Sequence, residues 1–295
     1  MYPVPARESF RFSKPVFFPT FKPMITADFQ SFIPIVLQAC VEASQAIMQI
    51  YETDFDPTIK NDGSPVTKAD VLSNAIIKRA LEHTGIPAIM EESINASFDT
   101  RKEWDSVWIV DPLDGTKEFI KKNGEFAICI ALVHRNQPVL GFIASPVSQE
   151  VLFGGKELPV KLASFDTIDQ PSEWKSITHK PEVNHPLKIA GSRSHHSGNE
   201  LKFNQSMRGV FGEVEFIKKG SALKFFDLAL GNADVYPRFA PTMEWDIAAG
   251  QAIIEALGGM VVHAETEQAL RYNKENLYNP YFIVRTKAVI DRLNR

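Results

Sequence analysis

The chain has little cysteine, little excess charge and no long apolar run. Its 295 residues include only two cysteines, Cys40 and Cys129. Both sit in apolar-periodic segments, so they read as reduced core residues of a reducing compartment. Neither a disulfide framework nor a thiolate metal site is expected. The formal net charge of −4 and the pI near 6.0 argue against a general nucleic-acid or membrane-surface binder, though they leave room for a local basic pocket. No apolar run approaches the roughly 18–20 residues of a membrane span. There is no P-loop and no nucleophile elbow, and the acids do not follow the alternate spacing of a calcium hand. Internal repeats and low-complexity tracts are missing too. What remains is an ordinary globular composition, long enough for one large domain or two.

The chain opens on a Pro- and Phe-rich stretch, residues 1–23, running through Phe17-Phe18-Pro19-Thr20-Phe21. Pro and Lys interrupt its apolar positions, so it has no signal-peptide core. It reads as an N-terminal extension, with Met24 as a second candidate start. A flexible tail and a docked arm are both open. Phe29, Ile33, Val36, Cys40, Ala43, Ile47 and Ile50 then recur at helical spacing, with Ser31 as the expected cap and Pro34 in the first turn. Thr67-Lys68-Ala69-Asp70 is a capping-box pattern opening a second helix. Short strands are expected at 86–90 and 107–110, a hairpin at 126–133 and 139–144, and a further strand at 151–153. Residues 24–170 therefore read as an α+β metal-binding domain with an antiparallel sheet. Residues 156–186 lack a clear period and read as a boundary. Beyond them, residues 185–295 alternate strands and helices, as an α/β domain with a mixed sheet does. Ser221 is the expected cap of a helix through Leu230, and Asp246 opens another.

One stretch dominates, Trp108-Ile109-Val110-Asp111-Pro112-Leu113-Asp114-Gly115-Thr116. An apolar strand ends in two acids three residues apart. Pro112 cannot donate to a ladder, and Gly115 lets the backbone turn. The pattern suits a metal ion beside a phosphate, but it also suits a plain Asp-Gly turn. Glu91 ends the strand before it and would sit at the same sheet edge if the two strands are neighbours. With Asp70 and the distant Asp246 there are five such acids. Acids brought that close need a cation to stay ionised. Oxygen donors without nearby His or Cys favour Mg²⁺ over Zn²⁺, and two such ions would suit phosphoryl transfer. Gly115 and Thr116 would offer backbone N–H groups to the phosphate.

Glu91-Glu92-Ser93, Asp111-Pro112-Leu113-Asp114-Gly115-Thr116 and Glu244-Trp245-Asp246-Ile247-Ala248-Ala249 follow, in order, the signatures of the lithium-sensitive, Mg²⁺-dependent inositol monophosphatase superfamily. The chain resembles that superfamily over about residues 26–295. Its 62–70, 115–119, 123–126, 191–195 and 236–239 segments resemble the CysQ-type 3′(2′),5′-bisphosphate nucleotidase branch. The resemblance implies a layered αβαβα sandwich. It implies a hydrolase removing the 3′-phosphate of adenosine 3′,5′-bisphosphate, in sulfur metabolism, with inositol or sugar phosphates as the alternative substrates. A non-catalytic nucleotide or metal sensor would have lost a metal acid, and none is lost here.

By the same resemblance Glu91, Asp111 and the Leu113 carbonyl hold one Mg²⁺, and Asp111, Asp114 and Asp246 a second. A third ion near Glu91 and Asp70 is compatible with the family. Thr116, held by Asp70, would orient and deprotonate the attacking water, with Glu91 completing the catalytic set. Asp114, Gly115, Thr116, Ser194, His195, Gly220, Ser221, Lys224, Arg238 and Asp246 would line the substrate. Arg238 reads equally as a structural ion-pair partner, Lys218 and Lys219 as solvated, and Trp245 as a core anchor. The partner implied is a small bisphosphate nucleotide rather than a nucleic-acid polymer, with monomer and homodimer both open. A cytoplasmic location is implied, and a peripheral position on the inner face of the cell membrane is left open.

Overall fold

In a computed structural model that describes residues 29–53, 57–59, 65–191 and 198–294, two large sheets are separated and flanked by helices, and a third sheet has only two strands. The N-terminal extension, Asp62-Gly63-Ser64, Ser194 and His195 lie outside the described residues. The strands are β1 (Thr58–Ile59), β2 (Pro65–Val66), β3 (Ala88–Met90), β4 (Ser106–Asp114), β5 (Ala127–His134), β6 (Gln137–Ser145), β7 (Glu150–Gly155), β8 (Leu158–Ser164), β9 (Lys175–Ser176), β10 (Leu187–Gly191), β11 (Val214–Lys218), β12 (Val235–Arg238), β13 (Met260–His263) and β14 (Phe282–Arg285). The helices are α1 (Ile33–Tyr51), α2 (Lys68–Glu82), α3 (Phe98–Arg101), α4 (Thr116–Ile120), α5 (Gly198–Phe211), α6 (Leu223–Ala229), α7 (Glu244–Ala256) and α8 (Lys287–Leu293). A seven-stranded sheet runs β3-β4-β5-β6-β7-β8-β9, antiparallel except for the β3–β4 pair. A five-stranded mixed sheet runs β11-β10-β12-β14-β13.

Side-chain alternation along the strands sorts the core into layers. On β5, Ile128, Ile130 and Leu132 pack against α1 and α2, through Val36, Leu37, Cys40, Ile47 and Ile77. Ala127, Cys129, Ala131 and Val133 point the other way, toward Ile247, Ala248 and Ile253 of α7 and Phe225 of α6. The far side of that helical layer meets Val284 and Phe282 of β14. Ile283 faces outward instead, into a third cluster with Phe203 and Met207 of α5 and Val289 of α8. The result is the αβαβα sandwich, five layers deep.

Several local expectations are revised. The cap position of α1 is Phe32, not Ser31, and Phe32 makes no side-chain capping bond. The helix still tolerates Pro34 in its first turn. By length and composition alone α1 is apolar enough to cross a membrane. Its Val36, Leu37, Cys40, Ala43 and Ile47 are nevertheless buried against the sheet, the pattern of a core helix. The stretch 156–186 is not structureless, since β8 and β9 extend the first sheet there. Its half-exposed edge position hides the period-2 pattern. Helices α5 and α8 have no counterpart in the sequence reading. Among the described side chains of α5 only Phe203 and Met207 are buried, too few to mark a face.

Candidate active site

The site forms where strand ends and helix starts converge. β3 and β4 are parallel neighbours, with Met90 opposite Val110, so Glu91 follows directly beside Asp111. The Glu91 N–H donates to the Val110 carbonyl at 3.1 Å. Along β4, residues three apart would face opposite sides of a regular sheet. A register shift removes that obstacle. Asp111 pairs with Cys129 and Asp114 with Ala127, so three steps on β4 match two on β5. An extra residue of this kind is what a bulge inserts. Both acids then face the helical layer, while Leu113 is turned into the α1–α2 core. Pro112, with no N–H to give, sits inside the shift.

Asp246 arrives from the other half as the third residue of α7, which begins at Glu244 rather than at Asp246 as the sequence suggested. One carboxylate oxygen from each of Asp111, Asp114 and Asp246 lies within 4.8 Å of the others. Each acid is oriented by a backbone N–H. Leu113 donates to Asp111 Oδ1 at 2.9 Å, Ala222 to Asp114 Oδ2 at 2.5 Å, and Met243 to Asp246 Oδ2 at 2.8 Å. The fold thus fixes one oxygen of each carboxylate.

Loss of water pushes the Asp111 carboxyl well above the usual carboxylate range, reinforced by the charges of Glu91, Asp114 and Asp246. Asp246 is raised in the same way, by burial first and then by Asp114. Asp114 is raised by burial but held back by Lys224 and the Ala222 N–H. Carboxylates that resist ionisation together, and that form an all-oxygen group among the described residues, fit a hard divalent cation. Glu91 adds its charge from one strand end away, outside the tightest three.

Asp70 stands on the opposite side of β4. As the third residue of α2 its Oδ2 accepts the Thr67 N–H at 2.7 Å and the Thr67 hydroxyl at 2.6 Å. Its Oδ1 accepts the Thr116 hydroxyl at 2.9 Å. The capping reading and the functional reading of Asp70 therefore both hold, one on each oxygen. Ser73, which the sequence did not single out, donates to the Pro112 carbonyl at 2.6 Å and ties α2 to the shifted strand end. Gly115 takes φ +99°, and a side chain there would meet the Glu125 carbonyl and Ser221 Cβ.

Of the substrate-lining expectations, Gly220, Ser221, Lys224 and Arg238 gather on the α6 and β12 side. Ser221 is not a helix cap. Helix α6 starts at Leu223 with Ala222 at the cap position, and Ser221 takes φ +54°. Its hydroxyl is buried and has no hydrogen-bond partner among the described residues. The Lys224 ammonium is buried, donates to the carbonyls of Ser221 at 2.7 Å and Lys219 at 3.3 Å, and lies 5.0 Å from the Tyr236 ring centroid. Burial pulls its pKa down to about 8 despite the attraction of Asp114. Arg238 sends its charge toward Asp114 and Asp246, while its Nε is buried without a partner among the described residues. Trp245 is 9 % exposed and packs in the central core.

The model of the Inositol monophosphatase family matches residues 28–290. The 3′(2′),5′-bisphosphate nucleotidase CysQ of Salmonella typhimurium is 37 % identical over 254 residues, spanning 84 % of this chain and 97 % of that protein. The crystal structure of CysQ from Bacteroides thetaiotaomicron superposes with a TM-score of 0.77 at 40 % identity, covering 88 % of this chain and 98 % of that one. An IMPase/NADP phosphatase complexed with Mg²⁺ and phosphate shares the fold at a TM-score of 0.67 and 18 % identity, over 90 % and 94 % of the two chains.

Proposed function

Because this chain belongs to the inositol monophosphatase family, we propose that it is a Mg²⁺-dependent 3′(2′),5′-bisphosphate nucleotidase that releases the 3′-phosphate of adenosine 3′,5′-bisphosphate to leave AMP. The observation that carries the chemistry is the group of Asp111, Asp114 and Asp246 oxygens within 4.8 Å of one another, backed by the Asp70–Thr116 pair. The substrate class rests on similarity to the CysQ proteins along most of the chain.

In this reading Glu91, Asp111 and the Leu113 carbonyl would hold one Mg²⁺, and Asp111, Asp114 and Asp246 would hold a second. Bound there, the ions would lower the pKa of a water and offset the charge that develops on phosphorus oxygens. The chain's own residues do the rest. Thr116 donates a hydrogen bond to Asp70 Oδ1, so as its oxygen takes a proton from an attacking water its own proton can pass to that carboxylate. The N–H groups around the Gly115 turn face the transferred phosphate. Arg238, whose buried Nε has no partner among the described residues, and the Ser221 hydroxyl supply contacts for the rest of the nucleotide. The chain would act in sulfur metabolism on a small molecule.

The test is a substrate panel on the purified full chain with Mg²⁺, comparing kcat/KM for adenosine 3′,5′-bisphosphate, inositol 1-phosphate and a sugar phosphate. A preference of about tenfold or more for the bisphosphate nucleotide is expected. The reverse preference would make the chain an inositol or sugar phosphatase with the same chemistry.

A further inference from the structure

The segment 219–222 carries Ser221 into the site, and its shape is not its own preference. A non-glycine residue at φ +54° persists only where the surroundings hold it there. The holding contacts come from several directions. Lys219 N–H donates to the Gly191 carbonyl at 3.2 Å, and Lys224 ties the carbonyls of Lys219 and Ser221 from within the segment's own helix. Ala222 N–H donates to Asp114. The remaining clamp is Glu125, in the loop between α4 and β5, whose Oε2 accepts the Gly220 N–H at 2.8 Å.

Glu125 is itself seated for this. Its N–H donates to Asn123 Oδ1 at 3.0 Å, and the preceding Gly124 takes φ +77°. The packing is close enough to require glycine opposite it. A Cβ on Gly220 would meet Glu118 Cγ at 2.8 Å and the Glu125 Cβ and carbonyl oxygen at 3.0 Å. A Cβ on Gly115 would meet the same carbonyl at 3.0 Å and Ser221 Cβ at 3.1 Å. One short loop therefore touches both the phosphate turn and the Ser221 segment, and fixes the distance between them.

The geometry points to Glu125 as a positioning residue that sets the substrate subsite around Ser221, an inference that rests on the reading of Ser221 as a substrate contact. The carboxylate accepts the Gly220 N–H, holds Gly220 in place, and so keeps the Ser221 hydroxyl, unpartnered among the described residues, beside the Asp114-Gly115 turn. Its carboxylate contact is with the Gly220 backbone, on the Ser221 side of the site, so its loss should be felt in substrate affinity before turnover.

The experiment compares Glu125→Ala, Glu125→Gln and Gly220→Ala with the wild type in steady-state kinetics. Each is measured on whichever panel substrate the wild type prefers and on p-nitrophenyl phosphate, a monoester with no second phosphate. Glu125→Ala is expected to raise KM for the preferred substrate about tenfold or more, with kcat within about threefold and the Mg²⁺ activation curve unmoved. Glu125→Gln, which keeps an acceptor oxygen, should restore KM to within about threefold. Gly220→Ala should copy Glu125→Ala by forcing the same separation, and it carries the test alone if Glu125→Ala does not fold. KM on p-nitrophenyl phosphate should change less than on the preferred substrate. A smaller rise in KM, a parallel loss of kcat with a shifted Mg²⁺ curve, or a Gln variant as impaired as Ala would each overturn the assignment. If the wild type prefers inositol phosphate, the nucleotide reading fails while the Glu125 test proceeds unchanged on that substrate.

Discussion

Asp70 and Thr116 are 46 positions apart in the chain and joined by a 2.9 Å hydrogen bond, from the Thr116 hydroxyl to Oδ1 of Asp70. The other oxygen of Asp70 closes the first turn of α2 through Thr67. The same carboxylate is a helix cap and the support of the residue assigned to water activation. The two roles separate by mutation. Thr116→Ala should cost on the order of 10²–10³ in kcat with little change in melting temperature, since it removes a proton acceptor at a half-buried position. Thr67→Ala should lower stability by about 1 kcal/mol, the usual worth of an N-cap, and retain most of the turnover. Paired kinetics and thermal melts on both variants decide it. Equal kinetic losses would mean that the cap, not the hydroxyl of Thr116, sustains activity.

Asp114→Asn should nearly abolish turnover, by on the order of 10²–10³ in kcat, and leave the fold intact. The amide oxygen can still accept the Ala222 N–H, so the link to the α6 side survives while the ligand charge is lost. Circular dichroism and kinetics on the purified variant provide the check. Normal activity would refute the metal assignment.

Divalent metal should stabilise the protein through the same acids. Asp111 and Asp246 titrate well above the ordinary range in the folded chain, because burial and mutual repulsion penalise their ionised forms. The native acids then retain protons that the unfolded chain has released. Metal-free stability therefore falls as pH rises from the ordinary carboxylate range through their raised values. Mg²⁺ at 100 times its Kd should add about 2.7 kcal/mol and blunt that fall. Asp111→Asn should melt higher than wild type without metal at neutral pH, and show little Mg²⁺ shift. Melting scans across pH with EDTA or Mg²⁺ provide the readout.

A second titration lies away from the acid cluster. Burial raises Glu255, near the end of α7, to about 7, although Gln251 donates to it at 2.8 Å. The sign is the same: its contribution is unperturbed below the unfolded value and becomes a penalty as pH rises through about 7. Glu255→Gln keeps the Gln251 contact and removes the charge. It should be more stable than wild type above pH 7, by roughly 1–2 kcal/mol, with the difference closing as pH falls toward about 4. Identical pH–stability curves for the two proteins would exclude the titration.

Much of this was legible in the chain because its signals are local. The capping box of Thr67 and Asp70 depends on residues three apart, and it forms. The β5–β6 hairpin follows from alternation around a short turn, and it forms. Glu91 could be placed at a strand end from an apolar run that stops in acids, whereas the strand expected to stop before Asp111 runs on through it to Asp114 across the register shift. Among the elements without a sequence signal, β8, β9, α5 and α8 are edge or outer-layer elements. Few of their side chains are buried, so burial left little period in their composition.

By itself the sequence determined which acids exist, the strand ends that carry most of them, and the family to which the chain belongs, because those depend on residue identity and near-neighbour spacing. Only the tertiary structure decided which side each acid faces. Asp111 and Asp114 share a side because β4 gains one residue on β5 between them, a register shift that needs the partner strand to define it. Asp246 joins them because α7 packs across the inner face of the first sheet. Ser221 lost its role as a cap because contacts from Asp114, Glu125 and Lys224 outweigh its local preference. Pairing, packing and distant hydrogen bonds set these positions, and no local spacing encodes them.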